Sequence, residues 1–305
     1  MVLCVDGVKV GSRADVTAGE KYIGYWRAGG DSTGGYADPG SSGYLSGTID
    51  EVSIYPTALT LSQVNAQYTA SGRTSSVPAA PADKYGLAVF NEEPTLYWRL
   101  NDAAAATTAA DAGPGVTTGT YQGTVTKQVG GAISGTTDKA VTFDGASGFV
   151  SSSTAFTNPT TYSLEAWFRT SSTTGGKIIG FGTARTGLST SYDRHVYLQA
   201  DGRVAFGAYN NGKIAVVSPS AYNNGQWHHV VATMGSTGMN LYLDGARVAG
   251  STNTGSQNYT GYWRVGGDAS WSGAAYFKGT IDEAAVYPKV LTAAQATQHY
   301  QTGAA

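Results

Sequence analysis

The chain has 305 residues, a formal net charge of −2 and one cysteine, Cys4. Charged residues make up 13% of it, about half the usual share, and its 19 Lys and Arg form no basic stripe, which argues against nucleic acid as a partner. No apolar run approaches the roughly 18 residues of a membrane span, and one cysteine makes no intrachain disulfide.

Taken in order, the first elements are found again at the end. LCVDGVKV, GYWRAGGD, GTIDEVSIYP and LTLSQVNAQY near the start reappear as LYLDGARV, GYWRVGGD, GTIDEAAVYP and LTAAQATQHY near the end. Such self-similarity fixes the repeating unit before the fold is considered. Residues 1–72 read as the C-terminal part of a repeat, 73–84 as a Pro/Ala/Ser linker, and 85–303 as one complete repeat. The partial repeat lacks its leading strands, so it is expected to leave edges uncovered and to need upstream sequence, another chain or docking on the complete unit. Cys4 stands where Tyr242 stands in the second copy and reads as a space-filling strand residue. Met1-Val-Leu-Cys-Val lacks the basic and apolar regions of a signal peptide, and a secreted parent would carry its export signal upstream. Trp26 and Trp263 occupy matching places in alternating segments and are expected in the core.

From residue 85 the chain alternates with period two in many short runs, among them LYWRL, AVTFDG, YSLEAWFR, KIIGFG, RVAFGAYN and QWHHVVATM. Asp201-Gly202, Asn211-Gly212, Asn224-Gly225 and Asp244-Gly245 read as hairpin joints. The fold class is therefore all-β, an antiparallel two-sheet jelly-roll sandwich. One short helix closes each unit, marked by the capping-box pairs Thr60/Gln63 and Thr292/Gln295. Leu164, Ala166, Phe168, Val196, Leu198, Val204 and Phe206 fall on one side of their strands, the expected core. Glu165, Trp167, Arg169, His195, Tyr197, Gln199, Arg203 and Tyr209 fall on the other, an amphipathic surface of the kind sugar-binding sheets present.

Phe143-Asp-Gly145, the run SLEAWFR at 163–169, QWHHVV at 226–231, LYLDG at 241–245 and GTIDE at 279–283 stand in order. Together they resemble the LamG-like jelly-roll family of the concanavalin A-like lectin/glucanase superfamily, over essentially all of 85–303. The resemblance implies a concave sheet face and often a structural calcium ion, but no particular activity. It places Asp282 as a calcium ligand, with Asp102, Asp111 and Asp144 as candidate partners and Asp50 in the equivalent place of the partial repeat. Calcium collects six to eight oxygens from separate segments, so no compact signature is expected.

Catalysis finds little support. Asp282 and Glu283 are neighbours on a strand and should point to opposite faces, whereas retaining glycosidases need two carboxyls facing each other. The carboxylate pattern of laminarinase-type hydrolases does not occur. His228 and His229 read as packing residues without the further ligands a zinc site needs, and no Gly-x-Ser-x-Gly elbow is present. The Gly266-Gly267-Asp268 turn and its counterpart Gly29-Gly30-Asp31 precede no helix and make no phosphate loop.

Trp271 and Tyr276, in a Gly/Ser-rich loop before the last strand, join Tyr192, His195 and Tyr209 as the expected ligand surface. The first copy has Tyr36 and Tyr44 in that loop. The reading is a non-catalytic, extracellular carbohydrate-binding or adhesion module, part of a larger exported protein, whose partner is a glycan or cell-surface polysaccharide. Tandem copies would gain by avidity on a polymer. A structural or protein-binding spacer is the alternative, and a glycoside hydrolase or its accessory domain comes third.

Overall fold

The structure is a computed structural model that describes residues 1–35, 40 and 42–305. The first unit contributes a hairpin, β1 (Val2–Val5) and β2 (Val8–Ser12), and a helix, α1 (Leu61–Ala70). A second helix, α2 (Lys84–Asn91), opens the complete unit. There follow β3 (Leu96–Trp98), β4 (Thr108–Ala109), β5 (Gly119–Gln122), β6 (Val125–Gly130), β7 (Lys139–Asp144), β8 (Phe149–Ser152), β9 (Phe156–Thr157) and β10 (Tyr162–Arg169). Next come β11 (Gly176–Gly182), β12 (Tyr192–Leu198), β13 (Arg203–Tyr209), β14 (Lys213–Ala221), β15 (Trp227–Gly235), β16 (Gly238–Leu243) and β17 (Ala246–Ser251). The chain closes with β18 (Thr260–Val265), β19 (Lys278–Tyr287) and α3 (Ala293–Ala304).

Two antiparallel sheets form the jelly-roll sandwich. The first runs β17-β16-β15-β10-β19-β7-β6, with β3 also on β19; the second runs β14-β13-β12-β11-β18-β8-β5-β4, with β9 also on β18. The alternation read from the sequence decides what lies between them: Leu164, Ala166, Phe168, Val196, Leu198, Val204 and Phe206 all join the inter-sheet core. Burying each such side chain contributes about 1.5–3 kcal/mol. Asn224-Gly225 is not a hairpin joint. It carries the chain from β14 in the second sheet to β15 in the first, whereas the other three turns do join adjacent antiparallel strands.

The outer face of the first sheet is covered. Tyr85 and Val89 of α2 and Leu291 and Ala296 beside and within α3 pack on Trp167, Val231, Tyr242, Ala285 and Tyr287. Asp83 caps α2 by accepting from Gly86 N at 2.7 Å, and Thr292 with Gln295 forms the expected capping box on α3. Beneath the helices Glu165 is the shared acceptor of Tyr85 OH (2.9 Å), His229 Nε2 (2.8 Å), His299 Nδ1 (3.1 Å) and Tyr287 OH (2.5 Å). Burial alone would push this carboxyl up; the charge of His299 and the bonds from both histidines outweigh it and hold Glu165 well below its usual value. The sequence reading put Glu165 and Trp167 on a sugar-binding surface. The helices correct that, because α2 was not foreseen and its Tyr85 and Val89 need an apolar partner.

The first unit keeps the local geometry of its repeat and loses the burial. Glu51 and Glu283 both sit at φ 52°, and Gly29 and Gly266 at φ 82° and 84°. Yet Trp26 is 83% exposed and Trp263 only 2%, so the expected core role holds for Trp263 alone. Trp263 lies between β11 and β8; the segment around Trp26 has no strand beside it. What does pack is α1 and the hairpin, through Leu61, Val77 and Phe90 with Cys4, Val8 and Ala80 and a Lys9–Glu93 pair at 2.6 Å. Val77 therefore anchors the segment read as a linker.

Candidate functional site

Among the described residues the outer face of the second sheet carries no helix, and its strands place the predicted aromatics together. Pairing of His195 with Gly207 and Tyr197 with Ala205, and of Gly207 with Ala215, lines the middle of the face with small residues around one imidazole. His195 follows Arg194, whose left-handed backbone (φ 47°) is held by bonds from its guanidinium to Pro159 O, Asp193, Asn158 and Gln257 O. That clamp leaves the His195 ring against Tyr197 (4.6 Å between centroids), Trp271 (4.6 Å, edge-on) and Tyr192 (6.0 Å).

Trp271 arrives from the loop between β18 and β19. The loop is tied at its base by Asp268 N to Ala275 O (3.0 Å) and at its side by Ala274 N to Thr174 O (2.8 Å). Gly207 is what lets the indole lie down: a Cβ there would sit 2.6 Å from Trp271 Cζ3 and 2.9 Å from His195 Nε2. Lys213 of β14 stands 5.7 Å above the indole, and its strand partner is Tyr209. Tyr276 forms bridges to Lys177 and Gly267 and packs on Phe149. Trp271, Tyr192 and His195 thus meet, while Tyr276 and Tyr209 flank them on either side. In the first unit Tyr44 is exposed, and Tyr36 lies outside the described residues.

Two polar groups on this face lack partners. Neither nitrogen of the fully buried His195 has a hydrogen bond among the described residues, nor has the equally buried Lys177 Nζ. Burial, then the charges of Lys177 and Lys213, push the His195 imidazole well below its ordinary value, so it is neutral at pH 7. Burial also pulls Lys177 down to about 8 against the opposing effect of Asp268. The sequence reading did not single out Lys177 or Gly207, and met Asp268 only in a turn that makes no phosphate loop. Lys177 heads the otherwise apolar strand KIIGFG, and a lysine at the head of such a strand was the available signal.

The calcium candidates do not converge. Asp102 accepts from Ala110 N and Tyr121 OH. Asp111 accepts from Tyr97, Gly113 and Thr117 N, and Asp144 from Ala146, Ser147 and Gly148 N. Asp144 closes its own turn, Asp102 and Asp111 tie their loops to neighbouring segments, and Asp50 is exposed. Asp282 instead meets Asp138 and Glu283, with one oxygen of each within 4.8 Å of the others. This corrects the expectation that Asp282 and Glu283 face apart. The left-handed Glu283 and a register shift opposite Glu165–Trp167 form a bulge, so both carboxyls emerge on the same, helix-covered side. Arg99 bridges the group, bonding Glu283 (2.8 Å), Asp138 (2.7 Å) and Asp83 (2.7 Å), and Tyr97 OH donates to Glu283. Burial raises the pKa of Asp282 and Glu283 well above the carboxylate range. The oxygens are of the type calcium takes, but two of the three carboxylates are already bonded to Arg99.

A groove of about 720 Å³ opens at one end of the sandwich, lined by Asp144, Arg169, Thr170–Thr174, Lys278 and Gly279. Its Thr174 wall is the one that holds the Trp271 loop.

A family model described as the concanavalin A-like lectin/glucanases superfamily matches residues 143–297. The chain belongs to this superfamily. No curated protein matches it. Domain 4 of AbnA, a GH43 extracellular arabinanase of Geobacillus stearothermophilus solved with arabinotriose, is similar at TM-score 0.51 and 19% identity, over 68% of this chain and 98% of that domain. Trypanosoma rangeli sialidase matches at TM-score 0.51 and 13% identity, over 79% of this chain and 39% of the sialidase. The receptor-binding domain of botulinum neurotoxin type G matches at TM-score 0.50 and 10% identity, over 68% of this chain and 51% of that domain. These likenesses show the concanavalin A-like fold. Among the described residues, no helix is long and apolar enough to cross a membrane.

Proposed function

We propose that this chain is a non-catalytic, glycan-binding module of an exported protein, and that the outer face of the second sheet receives the sugar. The observation that carries the reading is the Trp271–His195 contact, an aromatic surface over a buried imidazole with neither nitrogen bonded. Sugars are bound through aromatic faces and a few placed polar groups, and leaving a buried polar atom without a partner costs about 1–3 kcal/mol, which ligand hydroxyls would offset. Domain 4 of the arabinanase, with its bound arabinotriose, is a module of the same fold. Against catalysis, Asp282 and Glu283 share a side but lie on the helix-covered face of the first sheet, where Glu283 is already bonded to Arg99 and Tyr97. Retention of the whole chain on a panel of immobilised polysaccharides tests the reading; lack of retention on any would overturn it.

Calcium remains a proposal for Asp282, Asp138 and Glu283, and it requires the ion to displace Arg99. A melt in millimolar calcium against chelator tests it, with a higher Tm in calcium as the expected result and coincident curves as the contrary one. A protein-binding role would draw on the first unit, where Tyr22, Ile23, Tyr25 and Trp26 are all exposed.

A further inference from the structure

We infer that the glycan taken by this face is acidic, its sugar carboxylate received by Lys177 with His195 beside it. The inference rests on the glycan-binding reading and narrows it. Its starting point is a charge imbalance. Lys177 Nζ lies 3.8 Å from Asp268 Oδ2, and Arg264 Nε lies 3.7 Å from the same oxygen, so two fully buried cations share one carboxylate. That carboxylate is already engaged: Oδ1 accepts from Ser189 N and Ala269 N, and Oδ2 from Ser189 Oγ.

The neighbours do not redress the balance. Arg264 gives its N–H groups to Gly267, Ala184 and Gly187 carbonyls, which satisfies its donors and leaves its charge. Asp193 is paired with Arg194 at 2.5 Å. Lys213 adds a third cation above Trp271. Lys177 has the Tyr192 ring 5.0 Å from its Nζ and, among the described residues, no acceptor at hydrogen-bond distance, Asp268 standing off at 3.8 Å. A buried ammonium without an acceptor is costly, and a carboxylate is the partner that offsets the cost most, since charge-assisted bonds are roughly twice as strong as neutral ones.

The surroundings favour a sugar acid over a free anion. A neutral imidazole offers one donor and one acceptor, which suits one carboxylate oxygen and one ring hydroxyl. Lys177 and His195 have no accessible surface while the indole lies on Gly207, so the inferred binding includes lifting of Trp271 from Gly207, which frees a ring face for the pyranose. In a chain of net charge −2 this excess of cations over carboxylates is local, so attraction of an acidic ligand is a property of this face and not of the whole molecule.

Titration calorimetry on the whole chain tests the inference with oligogalacturonate and oligoalginate as carboxylate probes, their methyl esters as neutral counterparts, and dextran sulfate as a sulfate arm. At least one carboxylate probe should bind tenfold or more tightly than its ester. Lys177→Met should cancel that preference, and the exposed Lys213→Gln should weaken it several-fold. Lys177 is buried, so its variant counts only with a cooperative melt; the ester comparison and Lys213→Gln test the point without it. Esters that bind as tightly as acids, or dextran sulfate that outbinds both, would overturn the inference and leave the glycan reading intact. No binding to any of these, with no retention on neutral polysaccharides, would overturn both.

Discussion

Glu165→Gln gives the sharpest test of how the helices close the first sheet. The carboxylate accepts from two tyrosines and two histidines with no accessible surface. An amide keeps one acceptor oxygen, turns an NH2 toward donors and leaves His299 without its counter-ion. Removing one partner of a buried charged pair costs about 3–5 kcal/mol. In a domain of this size each kcal/mol moves Tm by roughly 2–4 °C, so the expected drop is about 6–20 °C. The pH dependence separates this from general damage. Burial lowers the His299 pKa, but Glu165 outweighs it and raises it above the ordinary 6.5. The stabilisation is thus full below pH 6.5 and lost as pH rises through the folded value. The Glu165 carboxyl is itself held below its ordinary 4.5, so its contribution is present above that pH and lost as pH falls. In the variant, burial and Lys289 lower the His299 pKa against the smaller effect of Glu92, and the slope above pH 6 should reverse. Calorimetric melts between pH 5 and 8 measure both. A loss under about 1 kcal/mol, or an unchanged slope, would refute the reasoning.

Gly207→Ala should displace Trp271, because the new Cβ would lie 2.6 Å from the indole; overpacking of this kind costs about 1–3 kcal/mol. Gly212→Ala, which meets nothing within 4 Å, is the control, and equal Tm shifts in the two would contradict the placement of the indole. Deleting residues 1–72 uncovers Phe90 and Val77, worth about 1.5–3 kcal/mol per large side chain, so the remaining unit should melt about 6–24 °C lower; an unchanged Tm would contradict the packing of the first unit on α2. Thr292→Ala removes the N-cap of α3 and should cost about 1 kcal/mol, read by denaturant titration, with no change contradicting the cap.

How far the sequence reached depended on whether a feature was local. Alternation around Leu164–Phe168 and Val196–Phe206 gave the core side correctly, because pleat geometry is set residue by residue. The capping threonines were equally legible. Trp26 was not, since its segment reads like that of Trp263 and only the presence of flanking strands decides burial. Glu283 misled for a related reason: strict alternation forbids what a bulge with one left-handed residue permits, and nothing in Asp-Glu announces the bulge. The aromatics of the candidate site stood out as types in a variable loop. Lys177 and Asp268 did not, because their importance lies in bonds that one of them lacks and the other has already made.

Polysaccharide affinity electrophoresis of the whole chain beside Trp271→Ala tests the central claim most directly. Removing the aromatic over His195 should weaken retention roughly 30-fold or more, the equivalent of about 2 kcal/mol for a binding hot spot, compared at a temperature where both proteins are folded. Retention that is equal in the two proteins would contradict the assignment of the sugar to this face.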